Sequence, residues 1–161
     1  MNNLVSIITP CFNSGKYISQ AIQSVIFQTH HNWELILVDD CSSDETFSII
    51  SNFTSQDVRI KAFKLDKNSG AGVARNFAIQ QASGNYISFL DADDLWKPEK
   101  LEKQLSFMET QNIPLTFSFY ETIDEAGNLR NESITTPSKV TYKQLYYCNW
   151  IGNLTGIYSV E

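Results

Sequence analysis

The sequence lacks long apolar segments, paired cysteines and an excess of basic residues, and each absence excludes a class of protein. Its apolar runs reach only about five residues, whereas a membrane-spanning helix needs about 20. Its N-terminus also shows no signal-peptide core, so we expect a cytoplasmic protein. The three cysteines, Cys11, Cys41 and Cys148, are odd in number and widely spaced, which favours reduced packing thiols over disulfides or a zinc site. Twelve basic against eighteen acidic residues give a formal charge of −6, which repels a phosphate backbone, so we expect no nucleic-acid partner.

What the 161 residues do contain is an alternation of strand and helix patterns with 42% hydrophobic residues. Strands are predicted at 4–9, closed by Pro10, and at 33–38, 59–65, 86–90 and 115–120. Four helices are predicted. The first covers 17–28, and the second follows Ser42 and Glu45, which have the spacing of a capping box. The third covers 70–82 with Gly84 as a left-handed cap, and the fourth begins at Pro98. Residues 122–133 predict an antiparallel hairpin and 142–147 a short helix. We therefore predict one α/β domain over 1–161, with an open, mostly parallel sheet flanked by helices and a mixed antiparallel C-terminal portion.

Acidic residues follow two of the predicted strands. The second strand ends in Asp39 and Asp40, and the fourth runs into Asp91, Asp93 and Asp94. Ligands of open α/β sheets bind beyond the carboxyl ends of the strands, so these side chains are the first candidates for a site. Carboxylates this close repel one another unless a cation or ligand hydroxyls neutralise them, and oxygen-only ligands favour Mg²⁺ or Mn²⁺ over zinc. A solvated acidic turn ahead of the helix explains the same spacing equally well.

Two further residues have both a binding and a packing interpretation. Arg75 follows Gly70 and Gly72, which would let the backbone approach a diphosphate closely. The glycines do not complete a dinucleotide fingerprint, however, so a surface or ion-paired arginine is the simpler interpretation. Phe12, just after the first strand, could stack on a base, although a lone aromatic residue more often packs.

Four segments in order closely resemble the family 2 glycosyltransferases. They are VSIITPCFN at 5–13, LVDDCSSDET at 37–46, GVARN at 72–76 and GNYISFLDADD at 84–94. The resemblance extends over nearly the whole chain from Leu4 and is strongest to about Leu105. It implies the A-type glycosyltransferase fold, a Rossmann-like nucleotide-binding domain that uses a sugar nucleotide and inverts the anomeric centre.

The resemblance also implies roles for individual residues. It assigns the nucleotide to Thr9, Pro10, Phe12, Asp39, Asp40, Arg75, Asp91 and Ala92. Within this set, the first three surround the base and ribose, and Asp40, helped by Asp39, contacts the base. Arg75 approaches the base or diphosphate. The segment from Asp91 to Asp93 matches the DxD motif, whose first aspartate lies near the ribose and whose last, Asp93, ligates Mn²⁺ or Mg²⁺ at the diphosphate.

No residue matches the general base that an inverting transferase needs. By resemblance we expect that carboxylate beyond Glu161, and we expect the chain to be truncated before its acceptor-binding region. The leading hypothesis is transfer from a UDP-sugar to a polysaccharide or glycolipid of the cell envelope, with a nucleotide-sugar donor and a saccharide or lipid-linked acceptor as partners. Such acceptors place relatives at the inner membrane face, but no basic amphipathic helix is present, so any membrane contact would be peripheral. One alternative is a non-catalytic nucleotide-sugar binding module or an inert remnant. Another is a nucleotidyltransferase, but such enzymes usually have a basic, glycine-rich first loop, and residues 10–13 do not form one.

Overall fold

A six-stranded sheet forms the centre of the computed structural model, which describes residues 3–135, 137–147 and 150–160. The strands are β1 (Val5–Cys11), β2 (Trp33–Asp39), β3 (Ile60–Lys64), β4 (Tyr86–Phe89), β5 (Leu115–Thr116), β6 (Tyr120–Ile123), β7 (Leu129–Ile134) and β8 (Ile157–Ser159). The helices are α1 (Ile18–Ile26), α2 (Thr46–Gln56), α3 (Ala71–Gln80), α4 (Lys100–Gln111) and α5 (Tyr142–Tyr147), and a 3₁₀ helix covers Asn153–Thr155. The order across the sheet is β3-β2-β1-β4-β8-β5, and β6 and β7 form a separate antiparallel hairpin.

The two central strands are buried on both faces, as their near-continuous apolar sequences predict. All seven residues of β1 and all seven of β2 are buried. One face carries a core to which α1 and α4 contribute residues such as Ile22 and Leu101. The other face packs against α3 through Ala74 and Ala78. Helices on both faces of a sheet whose first four strands are parallel confirm the predicted fold class.

The antiparallel portion is also confirmed, although its pairing could not be read from the chain. The hairpin of β6 and β7 lies where residues 122–133 predicted one, and α5 has the predicted bounds. The predicted fifth strand instead divides into β5 and β6. Strand β8 inserts antiparallel between β4 and β5, so a segment late in the sequence completes the central sheet.

The prediction that Pro10 closes the first strand is wrong, because β1 continues to Cys11. The carbonyl of Ile8 accepts a hydrogen bond from the N–H of Leu90, after β4. Backbone polar groups two residues apart in a strand point to the same side, so the backbone nitrogen of Pro10 also points towards β4. Strand β4 has ended at that point. The missing N–H of Pro10 therefore costs no ladder hydrogen bond, and pairing with β2 continues alone.

Two predicted helix caps are wrong as well. Ser42 and Glu45 do not form a capping box, because the hydroxyl of Ser42 donates to Asp39 and the N–H of Thr46 is bound by Asp44 (3.0 Å). Gly84 has no left-handed conformation. A side chain there would instead collide with the backbone, since a Cβ atom would lie 2.6 Å from the Leu4 carbonyl oxygen.

The cysteines and the helices bear on the remaining expectations from the sequence. Cys11 and Cys41 are free thiols, and Cys148 lies outside the described residues. Burial, and then the charge of Asp39, raise the pKa of the Cys11 thiol, so it stays protonated. Among the described helices, none is both long and apolar enough to span a bilayer.

Candidate active site

The sheet changes direction between β1 and β4. From β1 the chain builds outward through β2 and β3, and α3 then carries it back across the other face to β4. Open α/β sheets bind ligands in the crevice beyond the carboxyl ends of the strands at such a switch point. Phe12 follows β1, Asp40 follows β2 and Asp91 lies two residues beyond β4, so three of the four motifs meet at one edge.

The two aspartates at the end of β2 are buried and already hydrogen-bonded. Asp39 is fully buried, accepts hydrogen bonds from the backbone and hydroxyl of Ser42, and lies 3.5 Å from the Lys64 ammonium. Asp40 accepts the backbone N–H groups of Ser69 and Gly70, at 2.7 Å each, one on each carboxylate oxygen. Asp40 therefore fixes the loop that starts α3.

The ion-paired interpretation of Arg75 is confirmed, and its partner is a residue of the DxD motif. A terminal nitrogen of Arg75 donates to Asp91 at 2.7 Å, with both side chains about one-third exposed. The Nε of Arg75 is buried and has no hydrogen-bond partner within the described ranges. The amide nitrogen of Asn153 lies 3.3 Å from the same oxygen of Asp91 that Arg75 contacts and 3.5 Å from its other oxygen. The contacts of Asp91 with Arg75 and Asn153 thus join the loop after β4 to α3 and to the 3₁₀ helix.

The rest of the acidic run is arranged as a turn. The N–H of Asp94 donates to the Asp91 carbonyl at 3.1 Å, Ala92 is buried, and Asp93 is exposed. Burial, and then the charges of Asp93 and Asp91, raise the pKa of Asp94 to about 6. Asp93 makes no hydrogen bond or ion pair with the described part of the chain, so its carboxylate is accessible to a ligand or cation.

The end of β1 supplies a mixed polar and aromatic surface. Phe12 is 49% exposed, so part of its ring is accessible to a ligand. Thr9 and Pro10 are buried, and the hydroxyl of Thr9 has no hydrogen-bond partner among the residues described. Asn13 adopts a left-handed conformation (φ 48°) and accepts the N–H of Ser43 at 3.0 Å. The loop after β1 is thereby tied to the loop after β2.

Sequence reasoning missed one residue at this site. Asn153 carries no signal of its own in the sequence, because its partner Asp91 is 62 positions away. Two carboxylates of the hairpin, Asp124 and Glu125, are engaged in local contacts. Asp124 accepts turn N–H groups from Ala126 and Asn128, and Glu125 pairs with Lys16.

A mostly parallel sheet with acidic side chains and an arginine at its switch point defines an α/β domain with the A-type glycosyltransferase fold. The crystal structure of S. aureus TarS 1-349 in complex with UDP-GlcNAc matches with a TM-score of 0.79 and 29% sequence identity, covering 96% of this chain and 45% of that one. A corresponding TarS structure contains UDP and gives a TM-score of 0.78.

Sequence comparison identifies the family. Residues 6–157 match the model of Glycosyl transferase family 2, so the chain belongs to that family, as its four motifs suggested. TuaG of Bacillus subtilis, a glycosyltransferase named for teichuronic acid biosynthesis, is 43% identical over 152 residues, 94% of this chain and 60% of TuaG. WfgD of Escherichia coli, named a UDP-Glc:alpha-D-GlcNAc-diphosphoundecaprenol beta-1,3-glucosyltransferase, is 43% identical over 152 residues, 94% of this chain and 58% of WfgD. The chain therefore spans about 60% of the length of these curated relatives.

Proposed function

We propose that this chain is the donor-binding part of a glycosyltransferase that moves a sugar from a UDP-sugar to a saccharide or lipid-linked acceptor, with inversion and with a divalent cation. The observation that carries the proposal is the Arg75–Asp91 ion pair with the exposed Asp93 at the switch point, at the same edge of the sheet where Phe12 follows the neighbouring strand β1. The names of the relatives support the donor, because TarS was crystallised with UDP and UDP-GlcNAc and WfgD is named for UDP-Glc. WfgD is also named for a diphosphoundecaprenol-linked acceptor, which supports a glycolipid here.

The residues of the crevice suit the proposed roles. The half-exposed ring of Phe12 offers a stacking surface for uracil, and the buried Asp40 holds the loop next to it. Arg75 orients Asp91 by a charge-assisted hydrogen bond, so that Asp91 can accept hydrogen bonds from ribose hydroxyls. Arg75 also brings a positive charge to the diphosphate of the donor.

The donor set fits Mn²⁺ or Mg²⁺. Within the described ranges, no three His, Cys, Asp or Glu side chains are grouped so that they could hold a metal by themselves. Among the three aspartates of the acidic run, Asp91, Asp93 and Asp94, only Asp93 is exposed, which suits a hard cation that takes its remaining oxygens from a diphosphate and from water. A cation bound there would stabilise the charge that develops on the departing nucleoside diphosphate. The general base, expected beyond Glu161, stays a prediction.

Calorimetric titration of UDP tests the donor site. We expect the chain to bind UDP in Mn²⁺ and to bind at least tenfold more weakly in EDTA, because a chain of net charge −6 otherwise repels the diphosphate. Asp93→Asn should bind UDP in Mn²⁺ as weakly as the wild type does in EDTA. The matched control Glu99→Gln removes an exposed charge outside the crevice and should bind normally.

Two results would overturn the proposal. Absence of UDP binding by the folded wild type would eliminate the donor site. Equal binding in Mn²⁺ and EDTA, with Asp93→Asn unchanged, would eliminate the cation. Circular dichroism of each variant distinguishes loss of binding from loss of folding.

A further inference from the structure

The side chain of Asn153 occupies a place that no motif assigned. Its amide lies 3.3 Å from one oxygen of Asp91 and 3.5 Å from the other, while Arg75 donates to the first of these oxygens at 2.7 Å. The carboxylate is therefore held from two directions, by α3 and by the 3₁₀ helix. A single donor leaves the Asp91 carboxylate free to rotate about that hydrogen bond. Two donors on separate elements, Arg75 and Asn153, restrict this rotation as well.

The segment that carries Asn153 is itself fixed by side chains of the core. Three consecutive carbonyl groups after Asn153 each accept a hydrogen bond from a different side chain. The pairs are Trp96 Nε1 to Leu154 (3.0 Å), Gln104 Nε2 to Thr155 (2.9 Å) and Ser88 Oγ to Gly156 (2.6 Å). We call these three donors the carbonyl clamp. They come from β4, from α4 and from the loop between them, which are the elements that flank the acidic run.

Burial makes the clamp rigid. Trp96, Gln104 and Ser88 are all buried, and Thr155 is only 2% exposed. Unmade hydrogen bonds at such sites would leave polar groups without water, which costs more than the bonds themselves gain. The position of Asn153 is thus set by the same strand and helix that position Asp91, so the two side chains keep their relative placement.

We propose that Asn153 is a positioning residue of the donor site, which orients the Asp91 carboxylate so that Arg75 and the ribose hydroxyls can share it. The inference rests on the proposed function, because it assumes that a nucleoside diphosphate binds in this crevice. Asn153 itself contacts Asp91 and acts on the ribose through it.

The test compares the affinity of UDP with that of 2′,3′-dideoxy-UDP, which lacks the hydroxyls that Asp91 would bind. Asn153→Leu keeps the branched shape of the side chain but removes the amide donor. It should weaken UDP binding about fivefold to tenfold, the loss expected for one ordinary hydrogen bond, because the contacts to Asp91 at 3.3 and 3.5 Å are long. Binding of the dideoxy analogue should change much less, so the preference for UDP should shrink. Asn153→Gln, which keeps the amide, should restore part of this preference.

Asn128→Leu is the matched control. Asn128 also donates from its amide to an aspartate, Asp124 at 3.2 Å, but in the turn between β6 and β7, where its amide makes no described contact with Arg75 or Asp91. Its loss should leave both affinities unchanged. If Asn153→Leu fails to fold, Asn153→Asp has the same shape and should reduce the UDP preference at least as much, since it places a second carboxylate beside Asp91.

The outcomes separate the two proposals. A wild type that binds no UDP overturns the proposed function and this inference with it. A wild type that prefers UDP, together with Asn153 variants that keep the full preference, overturns the role of Asn153 and leaves the donor site intact.

Discussion

At the scale of single residues, Asp40 combines support of the fold with a place at the site. Both its oxygens accept backbone N–H groups, from Ser69 and Gly70, and its side chain is almost fully buried. Asp40→Asn would replace one acceptor by an NH₂ group that faces an N–H donor. We expect the free energy of unfolding to fall by about 1–3 kcal/mol, because one buried donor loses its partner. Guanidinium denaturation followed by circular dichroism measures this loss.

The control for Asp40 is Asp66→Asn, which removes the same charge at an exposed position. It should change stability little, since exposed substitutions usually do. UDP affinity should also fall in Asp40→Asn, because the displaced loop begins the helix that carries Arg75. An Asp40→Asn variant as stable as the wild type would show that the carboxylate does not hold this loop.

Single residues also show the limit of sequence reasoning about the site. Asp91 was recognisable because clustered carboxylates after a strand are chemically unusual, and Arg75 because glycines precede it. Asn153 has neither signal, since an asparagine next to Leu154 and Thr155 is equally typical of a turn. Its importance arises from a contact across 62 positions, which only the folded chain reveals.

At the scale of elements, Glu34 joins three parallel strands near their amino ends. It accepts hydrogen bonds from Ser6 of β1 (2.6 Å), from Lys61 of β3 (2.6 Å) and from the backbone of Ser83 ahead of β4 (2.7 Å). Burial alone would raise the pKa of this carboxyl, but the hydrogen bonds from Lys61, Ser6 and Ser83 outweigh it and lower the pKa to about 2. Glu34 therefore stabilises the sheet in its ionised form.

This network predicts a pH-dependent loss of stability. The folded pKa lies below the ordinary value, so the contribution is complete above about pH 5 and disappears as the pH falls toward 2. Glu34→Gln should be less stable than the wild type by on the order of 3 kcal/mol at pH 7, and the difference should narrow at pH 3. Urea denaturation at pH 7, 5 and 3 measures it. If the difference in unfolding free energy between the wild type and Glu34→Gln stays constant with pH, the ionised form of Glu34 does not provide this stability. The control Glu99→Gln, at an exposed position, should be as stable as the wild type at each pH.

Elements could be predicted where their signal is local. Helix α1 was predicted from its apolar periodicity and strand β2 from its near-continuous apolar run. Each signal is contained within its own segment. The end of β1 at Cys11 was missed, because it depends on where the neighbouring β4 stops. Gly84 was assigned to a helix cap by its position after α3, whereas its small size serves the close approach of Leu4 and Ser6.

At the scale of the whole molecule, the order of strands explains what sequence could and could not provide. Alternating patterns predicted a mostly parallel sheet, because parallel strands need crossover helices between them. The insertion of β8 between β4 and β5 was not predictable, since the three residues at 157–159 form too short a segment to indicate a strand and its partners. The chain that leads into β8 carries Asn153, so the unpredicted strand pairing also explains why this residue was missed.

The hairpin of β6 and β7 connects to the loops that border the crevice through charged side chains. Lys16, in the loop after β1, lies 2.8 Å from Glu125, and Lys97, in the loop after β4, lies 2.7 Å from Glu121. Both pairs are largely exposed, so salt screens them, and an isolated two-stranded hairpin is only marginally stable. The hairpin should therefore be a less stable unit than the central sheet.

Hydrogen exchange tests this difference. Amides of β6 and β7 should exchange severalfold faster in 1 M NaCl, where the screening length is about 3 Å, than at low salt, while amides of β1 and β2 should not change. The double variant Lys16→Ala/Lys97→Ala should show fast hairpin exchange at low salt and little further effect of NaCl. Lys103→Ala, an exposed substitution on α4, should behave as the wild type. Hairpin exchange that is insensitive to salt in the wild type would show that apolar contacts, and not these ion pairs, hold the hairpin against the crevice.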